Sequence, residues 1–189
     1  MSDKRVELIV PCFNEEKCVE FFYNKVRQVF ESILGYCFII TFIDDGSRDG
    51  TLNEIKRIAN RAEKDTVRFF SLSRNFGKES AIYAGLENAI GDYVAVMDAD
   101  LQHPPELLKE MLAAIEEEGY DCASARRVSR KGEPMIRSFW ARIFYHLINR
   151  ITVINLVPGS TDYRLMKRSV ARAIVAFTER ERFTKGIYA

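Results

Sequence analysis

The sequence predicts a three-layer α/β/α fold with a mostly parallel central sheet, and three observations predict it. Short apolar runs rich in Val, Ile and Phe alternate with longer amphipathic stretches, the rhythm of parallel strands joined by covering helices. The polar residues best suited to chemistry fall just after those runs, at the strand ends where loops of an open parallel sheet converge. With 189 residues, 47% hydrophobic and 29% charged, the chain has the size and mixture of a single domain spanning residues 1–189.

Taken in order, strands are expected at residues 6–11, 37–43, 67–72 and 93–97, with a weaker one at 121–125. Between them, apolar residues at helical spacing predict helices over 16–33, 52–63, 78–89 and 105–117. Thr51 and Glu54 read as a Thr-x-x-Glu capping box, and Pro104 and Pro105 suit a first helical turn, where their missing N–H groups are not needed. A further amphipathic helix is read around Trp140, Ile143, Phe144, Leu147, Ile148, Ile151 and Ile154, with Arg142, His146, Asn149 and Arg150 on its other side. It either covers the core or lies in a membrane interface, with Arg126, Arg127, Arg130, Lys131 and Arg137 as a basic flank.

Several function classes recede at once. A net charge of +1 supplies no global field of the kind nucleic-acid binders use, so no nucleic-acid partner is expected. Cys12, Cys18, Cys37 and Cys122 form no CxxC pair, which removes zinc-ribbon and thioredoxin readings and fits a reducing compartment. No stretch approaches the roughly 18 uncharged apolar residues of a spanning helix. The first residues run into a strand-like segment without an apolar signal region, so secretion is not expected.

Asp98 and Asp100 stand where the chain leaves an apolar run, Val94 to Met97. Two hard carboxylates at this spacing can hold one Mg²⁺ or Mn²⁺ that shares its other positions with water and phosphate oxygens, and Gln102 could add a neutral oxygen. The plainer alternative is that they solvate a loop and cap the following helix. The run from Asp44 and Asp45 through Gly46, Ser47, Arg48, Asp49 and Gly50 to Thr51 offers carboxylates that can accept from a base N–H or a ribose hydroxyl. An ordinary Asp/Gly turn before a capped helix explains half of it. Neither GxxxxGK[ST] nor GxGxxG occurs.

Together these segments match a known pattern. Val10-Pro11-Cys12-Phe13-Asn14-Glu15, Asp44-Asp45-Gly46-Ser47 with Asp49-Gly50-Thr51, Asn75-Phe76-Gly77-Lys78, Asp98-Ala99-Asp100-Leu101-Gln102-His103-Pro104-Pro105 and Thr161-Asp162-Tyr163-Arg164-Leu165 follow one another along the chain. In this order and spacing the chain resembles family 2 glycosyltransferases with the A-type nucleotide-sugar fold, closest to those that glycosylate polyprenyl phosphates.

The resemblance implies a nucleotide-sugar donor lying against Pro11, Phe13, Glu15 and Asp44, with Asp45 near them. It implies that Asp98, Asp100 and Gln102 hold Mg²⁺ or Mn²⁺ at the diphosphate, and that Arg126 and Arg137 grip an acceptor phosphate, which suits arginine's bidentate geometry. Lys78 either reaches a phosphate or sugar hydroxyl or is a solvated helix start. The implied reaction is an inverting displacement onto a polyprenyl phosphate oxygen, with Asp162 in the place of the family's proposed base. For Asp162 and Arg164 the plainer reading is a structural ion pair. His103 is read as a loop or helix-start residue and His146 as structural. Transfer to a sugar hydroxyl of a glycan, or nucleotide-sugar binding without catalysis, are the alternatives. By the same resemblance the chain is expected to work at the cytoplasmic face of a membrane surface, to be cut short before C-terminal membrane helices, and to leave self-association into a homo-oligomer open.

Overall fold

A computed structural model describes residues 4–63, 66–126 and 160–176. The strands are β1 (Lys4–Cys12), β2 (Tyr36–Asp44), β3 (Val67–Ser71), β4 (Tyr93–Val96), β5 (Cys122–Arg126) and β6 (Ser160–Lys167). The helices are α1 (Val19–Glu31), α2 (Thr51–Arg61), α3 (Lys78–Glu87), α4 (Leu107–Glu117) and, following β6, α5 (Arg168–Ala176). The strands form one six-stranded sheet in the order β3-β2-β1-β4-β6-β5.

β1 is parallel to β2 along its whole length, from Lys4 opposite Tyr36 to Cys12 opposite Asp44, and parallel to β4 on its other edge. Its side chains alternate between the two faces, as strand geometry requires. Val6, Leu8, Val10 and Cys12 join the core under α1, α2 and α4, packing with Phe22, Val26, Ile55, Ile58, Leu108 and Ile115. Ile9 joins the opposite core with Ala81, Ile82 and Leu86 of α3 and Ala171 and Ile174 of α5. The three expected layers are therefore present. α3 rests directly on β1 because Gly85 has no side chain: a Cβ there would stand 2.4 Å from Ile9 Cγ2.

Glu7 is the exception on the α3 face of β1. It is fully buried, and its carboxylate is surrounded by donors: Thr41 Oγ1 donates at 2.6 Å, Arg68 Nη1 at 2.9 Å, and the main-chain N–H groups of Ile90 and Gly91 at 2.6 and 2.9 Å. The carboxylate thus joins β1 to β2, to β3 and to the turn that delivers the chain into β4.

The structure departs from the sequence-based expectation at several ends. No capping box forms at Thr51, which lies inside α2: its Oγ1 accepts from Glu15 N at 2.8 Å, and Asp49 Oδ1 accepts from Thr51 N at 3.0 Å. α1 begins at Val19 rather than residue 16, because Cys18 N and Val19 N both turn back to the carbonyl of Glu15 while Glu16 N reaches Asp49. Pro104 and Pro105 form a turn before α4 instead of its first turn, with Leu107 N and Leu108 N donating to their carbonyls. β6 and α5 have no counterpart among the expected elements. β6 runs antiparallel to both β4 and β5, which makes the sheet mixed at that side. The amphipathic segment around Trp140, with His146, Arg127, Arg130, Lys131 and Arg137, lies outside the described residues. Among the described residues no helix is long and apolar enough to cross a membrane.

Removing the Glu7 carboxylate would take the acceptor from the N–H groups of Ile90 and Gly91 and leave Arg68 Nη1 with the Asn88 carbonyl. Glu7→Ala is expected to lower stability by about 3–5 kcal/mol in urea titrations followed by circular dichroism.

Candidate active site

The strand order reverses between β1 and β4: the chain moves outward from β1 through β2 to β3, then returns to the other edge of β1. At such a reversal the loops leaving the two neighbouring strands diverge to opposite sides and open a crevice beyond their carboxyl ends. A cleft of about 310 Å³ occupies that place. Pro11, Cys12, Phe13 and Glu15 line one wall, Asn75, Gly77 and Lys78 another, and Asp98, Ala99 and Asp100 its far end, with Asp45 between.

The first wall is set by the loop after β1. Asn14 adopts a left-handed conformation (φ 56°), its N–H donating to Ser47 Oγ at 3.0 Å and its Oδ1 accepting from Arg48 N at 2.9 Å. These bonds tie the Phe13–Glu15 segment to the loop after β2 and leave Phe13 40% exposed at the cleft. Asp44 ends β2 beneath that segment. It is buried, accepts from Ser47 N at 3.1 Å and Ser71 Oγ at 2.8 Å, and is not among the cleft residues. Asp45 does reach the cleft, but both of its oxygens are engaged: Phe76 N donates at 2.8 Å and Gly77 N at 2.9 Å. It therefore clamps the loop that precedes α3. Gly46 (φ 65°) allows the two loops to touch, since a Cβ there would lie 2.4 Å from the main chain of Arg74.

The far end carries the acidic pair. Asp98 and Asp100 both face the cleft, while Asp100 Oδ1 also accepts from Gln102 N at 3.0 Å across Leu101, which is left-handed (φ 53°). Gln102 itself is exposed and outside the cleft lining. The turn is fastened from β6: Tyr163, buried, donates its hydroxyl to the Pro105 carbonyl at 3.1 Å, and the His103 ring lies over the Tyr163 ring with centroids 6.3 Å apart. Burial pushes the Tyr163 phenol well above its usual range.

Because β6 is antiparallel, its first residues arrive at the same sheet edge as the last residues of β4, with Val96 opposite Arg164. Asp162 thereby comes next to Asp98, and Lys78 joins them. Its ammonium is 2.8 Å from each oxygen of Asp98 and 2.8 Å from Asp162 Oδ2. Burial acts to lower the Lys78 pKa, but the hydrogen bonds to Asp162 and Asp98 outweigh it and raise the value, so this cation is permanent at neutral pH. Arg164 directs its guanidinium to the main-chain carbonyls of Thr161 and Asp162. Arg126 ends β5 at the same edge and is exposed; Arg137 lies outside the described residues. Burial first, and then the negative charge of Glu15, Asp44 and Asp98, push the Cys12 thiol well up, which leaves it an inert neighbour of the site.

Among the described residues no three His, Cys, Asp or Glu side chains converge as a ready-made metal cage. The two carboxylates of Asp98 and Asp100 nonetheless fit a hard divalent ion that keeps water and ligand oxygens in its remaining positions. The bridging role of Lys78 is what the sequence does not reveal. Its local signal is the Gly77-Lys78 helix start, which says nothing of the carboxylates from two distant strands.

A mixed sheet with one reversed strand beside the switch point, and an acidic cleft at that point, define the A-type nucleotide-sugar transferase fold. Solved structures agree. A mannosyltransferase from Pyrobaculum calidifontis in complex with GDP-Man and Mn²⁺ superposes with a TM-score of 0.62 at 19% identity, over 90% of this chain and 46% of that one. Mannosyl-3-phosphoglycerate synthase from Rubrobacter xylanophilus does so with a TM-score of 0.65 at 19% identity, over 88% and 54%. The model of glycosyl transferase family 2 matches residues 7–175, and the chain belongs to that family. Relatives include an uncharacterized glycosyltransferase, sll0501, of Synechocystis (40% identical, covering 97% of this chain and 57% of the relative). A prophage bactoprenol glucosyl transferase homolog of Escherichia coli is 38% identical, covering 97% of this chain and 58% of the relative. The chain thus spans under two thirds of the length of these relatives.

Asp45 is expected to act through the loop it clamps. Asp45→Ala takes the acceptor from Phe76 N–H and leaves Gly77 N–H with Asn75 Oδ1, and should cost about 1–3 kcal/mol in chemical denaturation. Limited proteolysis of the folded variant should yield a new cut within residues 73–77.

Proposed function

We propose that the chain is the catalytic part of a hexosyltransferase that moves a sugar from a UDP- or GDP-sugar to a polyprenyl phosphate with inversion at the anomeric carbon. The observation that carries this reading is the cleft at the β1/β4 switch point, with an aromatic and a carboxylate at one end and the Asp98, Asp100, Lys78 and Asp162 cluster at the other. The likeness to a bactoprenol glucosyl transferase homolog supports the lipid acceptor.

In this reading Pro11 and Phe13 offer an apolar surface to the base, and Glu15 accepts from a ribose or base donor. Glu15, Asp45, Asp98 and Asp100 make the cleft acidic, so a diphosphate requires a counter-charge there. Asp98 and Asp100 would hold Mg²⁺ or Mn²⁺, which when bound neutralises the departing diphosphate. Asp98 and Asp100 follow directly on β4, and the turn after them is fastened by Tyr163. The exposed Arg126 stands at the same edge to meet an anionic acceptor. An acceptor phosphate is already ionised at neutral pH and needs no base, whereas a sugar hydroxyl does. Asp162 with an ammonium 2.8 Å away is a poor proton acceptor, which favours the phosphate acceptor over a glycan hydroxyl.

Thermal melts of the protein with UDP, GDP and their sugars, each with and without Mn²⁺, test the donor assignment. One nucleotide should raise the melting temperature only when Mn²⁺ is present, and Asp98→Asn should abolish the Mn²⁺-dependent part. Absence of any shift with every nucleotide would overturn the reading. Asp162→Asn should keep most transfer to polyprenyl phosphate in a radiolabelled-sugar assay; loss of roughly a thousandfold or more would instead mark Asp162 as a base and a hydroxyl as the acceptor.

A further inference from the structure

Among the described residues lining the cleft, Lys78 is the basic one, in a lining that also holds Glu15, Asp45, Asp98 and Asp100. It is the first residue of α3, on a helix seated closely on β1 through Gly85, so its stem starts from a rigid base. Its ammonium caps both oxygens of Asp98 and simultaneously touches Asp162. A carboxylate whose two oxygens face an ammonium cannot offer the same oxygens to a divalent ion. The two cations compete for one seat.

We propose that Lys78 is a built-in counter-ion for Asp98 that a divalent cation displaces, and that Asp162 is the second seat which keeps the displaced ammonium paired. The inference rests on the metal assignment made above. A lysine suits this role, because a compact charge on a flexible four-carbon stem can swing between acceptors without losing its hydrogen bonds. Its side chain is 39% exposed, which leaves room for that swing. With Asp162 present the ammonium moves from two partners to one; without it, displacement would strand the charge. Lys78 therefore opposes metal binding, Asp162 lessens that opposition, and Asp162 acts only through Lys78.

Titrating Mn²⁺ into the protein without nucleotide, with free Mn²⁺ read by electron paramagnetic resonance, tests this without any turnover. Lys78→Met should tighten Mn²⁺ binding roughly two- to fivefold, the scale of a half-exposed ion pair. Lys78→Gln should act in the same direction, and Lys78→Arg, which keeps the charge, should leave binding near the wild-type value. Asp162→Asn should weaken binding by a similar factor, and that effect should vanish in the Lys78→Met background. Unchanged or weaker binding in both Lys78→Met and Lys78→Gln overturns the proposal. So does an Asp162→Asn loss that persists in the Lys78→Met background, since Asp162 would then be a metal ligand itself. If instead wild type binds no Mn²⁺ even with UDP or GDP present, or Asp98→Asn binds as well as wild type, the metal assignment itself fails and the inference goes with it. Circular-dichroism melts of each variant establish that the comparison is between folded proteins.

Discussion

β1 is hydrogen-bonded on both edges and buried on both faces, and every other element takes its place from it. Crossovers between parallel strands are right-handed, so stepping outward from β1 to β2 and β3 places α1 and α2 in one layer. Returning past β1 to β4 reverses the direction and places α3 in the other, as the two cores record. The cleft is the gap this reversal leaves. Its walls are the loops that must part there, and no separate device is needed to make a depression at that edge. Glu7 reinforces the arrangement from within, since its carboxylate bonds to β2, β3 and the approach to β4, the elements on either side of the reversal.

Above that frame the carboxylates divide their work. Asp44, Asp45 and Asp49 accept main-chain N–H groups and hold loops against one another. Glu15, Asp98 and Asp100 face the cleft, and Asp100 also steadies its own turn by accepting from the N–H of Gln102. The distinction is physical rather than compositional. A short side chain at the last position of a strand can accept from the loop that follows it, and Asp44 does so; one residue further, Asp45 points to the neighbouring loop instead.

That distinction explains what could be read from the sequence. The four parallel strands and their covering helices follow from apolar period and length, and they lie within a few residues of where periodicity puts them. Helix starts were less legible because long-range partners decide them: the Thr51 hydroxyl accepts from the N–H of Glu15, and Asp49 accepts from the N–H of Thr51. β6 is hard to read because its polar-apolar alternation, Asp162-Tyr163-Arg164-Leu165, is short, and because Arg164 is buried along with Tyr163, Leu165 and Met166, so the pattern does not mark its faces. Asp98 and Asp100 were legible as a pair from local spacing. The closeness of Lys78, Asp98 and Asp162 was not, since it depends on the antiparallel register of a strand far along the chain.

The pairing of β5 with β6 has a consequence for how such a chain can diversify. β5 ends at Arg126 and β6 begins at Ser160, and these two residues are register partners. Whatever residues 127–159 do, their two ends are pinned side by side at the edge where the cleft opens. Lengthening a connection between fixed ends is inexpensive, about 0.6 kcal/mol per doubling. An insertion point of this kind lets the sequence beside the cleft change in length while the walls built on β1 and β4 stay as they are.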